Sequence, residues 1–351
     1  MAKRYRIKDL RNFAFDLLCK KGLHPDPAET VADILLEGDL LGHTTHGLQL
    51  LAPYLDELDS GSMTREGQAV VVQDHGMSVL WDGCYLPGPW LVTRAIDTGL
   101  ERLNSYPVFT ASIKQSHHIA CLAAYLERVA VQGYVIILTT SDPTMGSKVS
   151  PFGSRTPFYT PNPVAAGWPL KEDQVMLDIS TSTTTIGLRP RLRRENKRLP
   201  GTWVLDASGR ITDDQTVIFE EPSGSILPLG GLALGHKGFA LGLLVEALTS
   251  GLCGFGRKDT PGRWGATVFL MMMDPAAFGG REEFTAESTW IAEACLKADP
   301  LDKRNPVRLP GQAALAKKRR CLKNGVELEP GIIEVLEKWS ATLGVAVPIP
   351  I

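Results

Sequence analysis

The sequence has no CxxC pair, no run approaching 18 consecutive apolar residues and almost no net charge, and each absence excludes a class of protein. Its six cysteines (Cys19, Cys84, Cys121, Cys253, Cys295 and Cys321) are scattered through apolar or helical settings that suit reduced thiols. That argues against a disulfide framework and for a reducing compartment. The formal charge of -2 gives no electrostatic reason to expect nucleic acid or an anionic membrane as a partner. The opening MAKRYRIKDLRNF is charged and lacks the apolar centre of a signal peptide, so a cytoplasmic protein that does not span a membrane is expected. Three motifs are missing too: the GxxxxGK(S/T) phosphate loop, the GxGxxG dinucleotide fingerprint and the HExxH zinc pair. A standard Rossmann site is therefore unsupported. No internal repeat or low-complexity linker breaks the chain.

What is present is the bulk of an enzyme: 351 residues, 44% hydrophobic and 22% charged, enough for two or three modules at about 100 to 200 residues each. The start reads as helical. Ile7, Leu10, Phe13, Leu17 and Leu18 form one amphipathic face, and a second helix begins near Pro25, whose fixed φ suits a first turn. From about residue 66 short β-branched runs take over: 69–73, 77–83, 108–113, 134–141, 175–180 and 266–274, interleaved with helices from Pro89 to Leu103 and from Ile119 to Ala130. This alternation predicts an α/β layer whose strands are buried on both faces. Residues 141–169 look like a long, proline-stiffened loop, which is uncommon in a compact domain unless functional. Helical patterns return at 282–297, 312–323 and 332–343. The expected architecture is a helical unit formed by 1–65 with 282–351 around an α/β unit at 66–281.

The chemistry-bearing residues fall in a few places. GHTTHGLQLLAPY, 42–54, sets His43 and His46 where a buried helical stripe (Val31, Ile34, Leu35, Gly38, Leu41) runs into glycine. A histidine there can move a proton near neutral pH or simply satisfy a helix end. QSHHIACLAAY, 115–125, places His118 between a strand and a predicted helix start, where free N–H groups favour an anion; capping by Ser116 with solvated histidines is the alternative. Asp178, ending a strand before a run of hydroxyls, is suited to holding a ribose or orienting a histidine, or is an ordinary turn residue. GHKG, 235–238, sets Lys237 at an expected helix start. The basic run Arg189 to Arg198 reads as a solvated face rather than a phosphate site. HTTH has i, i+3 spacing and no glutamate between its histidines, so no catalytic metal is expected and a metal hydrolase is disfavoured.

In this order, GHTTHG, DG at 82–83, SHHIACLAAY, PFG, TPNP, LDISTS, PLGG, GHKG, MMDPAAF and LPGQ resemble the type 2 malate/L-lactate dehydrogenase family over nearly the whole chain. The texture is nearest the hydroxycarboxylate dehydrogenase branch. The resemblance implies a non-Rossmann fold in which a helical domain from both chain ends flanks a dinucleotide-binding sheet domain. It also implies NAD or NADP as cofactor, a small carboxylic acid as substrate, and a homodimer with sites between subunits. Carried over by position, His46 is the proton donor, His118 and Asp178 complete the catalytic group, and the cofactor is met by His118, Ile119, Ala120, Asp178, Ile179, Ser180, Thr181, Ser182, His236, Lys237, Leu309, Pro310, Gly311 and Gln312.

Four departures qualify this. Leu50 stands where many relatives carry the arginine that clamps the substrate carboxylate, Leu188 replaces a lysine, Gln312 a glutamate and Ala120 a glycine. Leu50 favours a bulky or apolar substrate tail over malate or plain lactate, with the carboxylate held elsewhere, for instance by Arg155. The expected reaction is interconversion of a 2-oxo and a 2-hydroxy acid. The alternatives are reduction of a cyclic imino acid and a dinucleotide-binding homologue with little turnover.

Overall fold

The computed structural model describes residues 3–144, 146–188, 192 and 197–351. The first part of the chain runs β1 (Arg4–Tyr5), α1 (Ile7–Lys20), α2 (Pro25–Leu41), α3 (Leu51–Ser60), β2 (Val70–Asp74), β3 (Ser78–Asp82), α4 (Gly88–Arg102), β4 (Val108–Ser116) and α5 (Glu127–Ala130). It continues through β5 (Val135–Ser141), β6 (Val164–Pro169), β7 (Gln174–Ile179), β8 (Val204–Leu205), β9 (Ile211–Thr212), β10 (Ser225–Ile226), α6 (Gly231–Glu246) and β11 (Ala266–Met273). It closes with α7 (Arg281–Leu296), α8 (Gln312–Asn324), β12 (Val326–Glu327) and α9 (Ile332–Leu343).

The centre is a mixed seven-stranded sheet in the order β2-β3-β4-β11-β5-β6-β7, in which only β3 and β4 run parallel. That differs from the expected layer of strands buried on both faces. β4 alternates buried and part-exposed residues, as an antiparallel-type strand with one core face does, and β2 is exposed along its whole length. The strand β6 lies inside the segment expected to be loop, because prolines at 161, 163 and 169 hide a six-residue hairpin arm that pairs with β5 and β7. A small sheet, β10-β8-β9, encloses its own core of Val149, Tyr159, Leu199, Val204, Ile218 and Ile226. Leu188 packs against that core, and most of the basic run 189–198 lies outside the described residues.

Both chain ends meet. β1 pairs with β12, α2 packs on α8, and α9 packs on α1 and α3. Their apolar stripes join one core that continues onto the sheet. Burying such side chains contributes roughly 1.5 to 3 kcal/mol each, so this docking fixes the position of α2. Helix α7 instead contacts the turn at Pro275–Ala277 and buries only Ala292.

Two predicted helix starts move. The stretch expected as a helix from Ile119 is extended to Cys121, then forms a single 3₁₀ turn, Leu122–Tyr125, before the short α5. Left-handed Ala120 (φ +58°) is incompatible with a helix there. Helix α6 starts at Gly231, because Gly230 and Gly231 adopt positive φ, which places His236 and Lys237 well inside the helix rather than at its free N–H groups. Together with the wide turn that extends it, the segment Gly231–Gly251 is the one described helix long and apolar enough to cross a membrane by length and composition.

Candidate active site

Helix α2 delivers the first histidine. It ends at Gly42 in the left-handed conformation, where the His43 N–H reaches back to Gly38 O at 2.8 Å. A one-turn 3₁₀ helix, Thr44–His46, follows. This turn is pinned from below by Asp39, whose Oδ2 accepts the Leu48 N–H at 2.7 Å. Gly47 passes so close that a Cβ there would lie 2.5 Å from the Asp39 carboxyl carbon. Burial pushes the Asp39 carboxyl up to about 7.

The strand β4 delivers the second. His118 follows it in extended chain, and its ring stacks on His46 with centroids 6.0 Å apart and planes within 21°. The Ala120 N–H, which can only donate, points at His118 Nδ1 at 3.2 Å. Nδ1 is thus the acceptor, and the ring proton sits on Nε2. The buried Tyr54 hydroxyl donates to His118 O at 3.0 Å and lies 2.9 Å from the same Nδ1. His46 Nδ1 lies 2.9 Å from the Thr45 hydroxyl.

Burial holds both imidazoles below their ordinary range. For His46, Asp178 opposes the shift and His43 adds to it; for His118, His46 and His117 add to burial. His118 is therefore a neutral donor through Nε2, and His46 is the ring that a carboxylate helps to protonate.

A cavity of about 400 Å³ brings these rings together with Leu50, Ala120, Asp178 and Ser180 from the predicted set. Asp178 is the penultimate residue of β7, and its Oδ2 accepts the Ala123 N–H at 2.9 Å. Thr181 and Ser182 are buried behind it with their hydroxyls spent on Pro161 O and Thr184 O, so they shape the loop. Ile119 is buried outside the cavity, and Ile179 is exposed. His236 and Lys237 are exposed on α6. Leu309, Pro310, Gly311 and Gln312 form a turn docked on β7 through Met176 N–H to Pro310 O, with Gln312 Oε1 accepting the Leu309 N–H. None of these four lines the cavity. Arg155 is also outside it, beside Gly209 at the small sheet.

Several lining residues escaped sequence reasoning. Trp264 lies 5.0 Å from His118 and its indole N–H donates to Asp142 at 2.9 Å, making one wall of the cavity. Asn162 is held by Gly242 O and Glu246, and Glu246 also pairs with Arg257 at 3.0 Å. TPNP was a visible motif, but Trp264 and Asp142 carried no spacing signal: they meet because β11 lies beside β5.

The donor set suits a nicotinamide dinucleotide. Asp178 is a carboxylate at the penultimate residue of β7, of the kind a ribose diol requires, and the His118 and Trp264 rings form a wall for a planar group. A sequence model described as "Malate/L-lactate dehydrogenase" matches residues 5–337. The chain belongs to the malate/L-lactate dehydrogenase family. Among its relatives, the L-lactate dehydrogenase of Cupriavidus necator is 29% identical over 348 residues, 97% of this chain and 98% of that one. Hydroxycarboxylate dehydrogenase B of Escherichia coli K12 is 27% identical over 93% of this chain and 91% of its own. The crystal structure of the delta1-piperideine-2-carboxylate reductase of Pseudomonas syringae superposes with a TM-score of 0.81 at 26% identity, covering 96% of this chain and 99% of that one.

Proposed function

We propose that this member of the family interconverts a 2-oxo acid carrying a bulky or apolar side chain and its 2-hydroxy acid, with NAD or NADP. The observation that carries the reading is the His46 and His118 pair facing one cavity beside Asp178, with Leu50 where a guanidinium would clamp a small acid. Bound there, the dinucleotide would supply a hydride to the substrate's carbonyl carbon in reduction and would accept one in oxidation. His46 gives a proton to the carbonyl oxygen in reduction and takes it back in oxidation, a contribution typically worth about 100 to 10,000-fold in rate. Neutral His118 donates from Nε2 to a substrate oxygen and fixes its orientation. Asp178 holds the ribose and steadies the protonated form of His46. Leu50 and Trp264 receive the substrate's side chain.

A panel of 2-oxo acids, phenylpyruvate and oxaloacetate included, with NADH and NADPH tests this. Turnover should be highest for the bulky apolar acids. Consumption of the cofactor with a cyclic imine and with no 2-oxo acid overturns the reading in favour of the imine reductase alternative, which the Pseudomonas likeness supports. Cofactor binding without turnover on either panel makes the chain a binding homologue.

We also propose a cytoplasmic homodimer with sites completed between subunits. Exposed Leu232, Leu234, Leu243, Leu244 and Leu252 on and just beyond α6 form an apolar face suited to a second copy. Sedimentation should give twice the 38.2 kDa chain mass; a monomer at micromolar concentration overturns it. We propose the division into 1–65 with 282–351 and 66–281: the packing of α1 to α3 with α8 and α9 supports it, α7 against the turn Pro275–Ala277 does not, and separate unfolding transitions would test it.

A further inference from the structure

In the lining of the same cavity, three side chains of different chemistry converge. One ring nitrogen of His43, the Sγ of Cys121 and a carboxylate oxygen of Asp178 all lie within 4.8 Å of one another. Neither His43 nor Cys121 has a role in the proposed chemistry. We propose that these three residues form a zinc-binding site.

The geometry is close to what a tetrahedral ion needs. With Zn–S near 2.3 Å and Zn–O near 2.1 Å, the two ligand atoms stand about 3.5 Å apart; Cys121 Sγ and Asp178 Oδ2 are 3.8 Å apart. Asp178 is already oriented, since its Oδ2 accepts the Ala123 N–H at 2.9 Å, the kind of supporting hydrogen bond that fixes metal ligands. The His43 ring nitrogen lies within 4.8 Å of both other ligand atoms. Among the described residues no hydrogen bond to its ring side chain is seen, and it follows the left-handed Gly42.

The ligand set selects the ion. A thiolate and an imidazole disfavour magnesium and calcium, which want oxygen, and suit zinc. Binding converts the Cys121 thiol to a thiolate and releases one proton to solvent, with no change of oxidation state. Three protein ligands leave a fourth position for water or another ligand. The HTTH spacing does not contribute: one histidine of that pair binds, with partners 78 and 135 residues further along the chain, so no local motif announces the site. On the reading of Asp178 as a cofactor contact, an ion here excludes the dinucleotide and makes the enzyme zinc-sensitive.

The test uses the full chain, reduced, titrated with Zn²⁺ against a chromophoric chelator, and in parallel loaded with Co²⁺. One Zn²⁺ per chain is expected, weakened at least about ten-fold by Cys121→Ser and by His43→Ala, and unaffected by Cys295→Ser on the exposed thiol. The Co²⁺ form of the unaltered protein should show a thiolate-to-metal band in the near ultraviolet that Cys121→Ser removes. Zinc affinity unchanged in both variants, or a Co²⁺ complex without the thiolate band, overturns the site. The spectrum needs no variant, so a folding defect cannot mask the result. If Zn²⁺ binds as described while NADH affinity stays constant, the site stands and the cofactor role of Asp178 falls.

Discussion

The Ala120 N–H donates to His118 Nδ1 across 3.2 Å, and Ala120 adopts φ +58° where it does so. The hydrogen bond fixes which nitrogen of His118 faces the cavity. A left-handed conformation costs a non-glycine residue roughly 1 to 2 kcal/mol, a cost glycine avoids. Ala120→Gly should therefore stabilise the fold, by about 1 kcal/mol after the extra freedom glycine gives the unfolded chain is subtracted. The midpoint of urea unfolding reads this directly. A lower midpoint would mean that the loop relaxes without strain and that the methyl group is contributing packing instead.

His46 makes the second prediction through pH. Burial lowers its imidazole below the usual 6.5, so the neutral ring dominates at pH 7. Reduction needs the protonated ring and oxidation the neutral one. kcat/KM for reduction should thus rise toward acid with an inflection below 6.5, while oxidation is level above it. His46→Gln should lower turnover by about 100-fold or more and abolish the inflection, with NADH binding followed by fluorescence changing little. An inflection that survives in the variant assigns the titration to another group.

How far the residues announced this arrangement depends on whether a signal was local. Helix α9 matches the predicted 332–343 because its burial follows a 3.6-residue period along Ile332, Ile333 and Leu336. His46, His118 and Asp178 could be singled out because each sits at or near the end of an element: His46 before a glycine, His118 in a doubled histidine after β4, and Asp178 before a hydroxyl run. The strand β6 was hidden because proline spacing dominates a hairpin that depends on β5 and β7 for its hydrogen bonds. Trp264 and Asp142 are 122 residues apart and acquire meaning only through their hydrogen bond. The helix expected from Ile119 failed because the Ala123 N–H goes to Asp178 and Ala120 turns left-handed, both set by tertiary structure.

Asp39 links the site to stability. Its carboxyl rises from 3.8 to about 7 in the fold, chiefly through burial. A raised acid pKa means that the native state binds the proton more tightly than the unfolded chain, so stability is lost as pH climbs from about 4 to about 7 and is level above. Asp39→Asn keeps an acceptor for the Leu48 N–H and removes the buried charge. The advantage of the variant over the unaltered protein should grow by about 2 to 3 kcal/mol between pH 5 and pH 8. Urea unfolding at the two pH values measures the difference; an equal gap at both shows that Asp39 is ionised in the fold throughout.

On the proposed reading, Leu50 sets which acid fits. It stands four residues after His46, on the 3₁₀ turn Leu48–Leu50, and shares the cavity with His118 and Trp264. Leu50→Arg would place a guanidinium there, with Asp142 and Asp178 in the same cavity to limit the cost of a charge taken from water. A charge-assisted bidentate pair with a carboxylate is worth about 1.5 to 3 kcal/mol, or roughly 10 to 150-fold, whereas an aryl side chain loses its apolar contact. The ratio of kcat/KM for oxaloacetate to that for phenylpyruvate should therefore rise at least about ten-fold, with the change in KM exceeding that in kcat because the contact is made in the ground state too. An unchanged ratio would place the substrate's side chain away from position 50 and leave Trp264 as the wall that selects it.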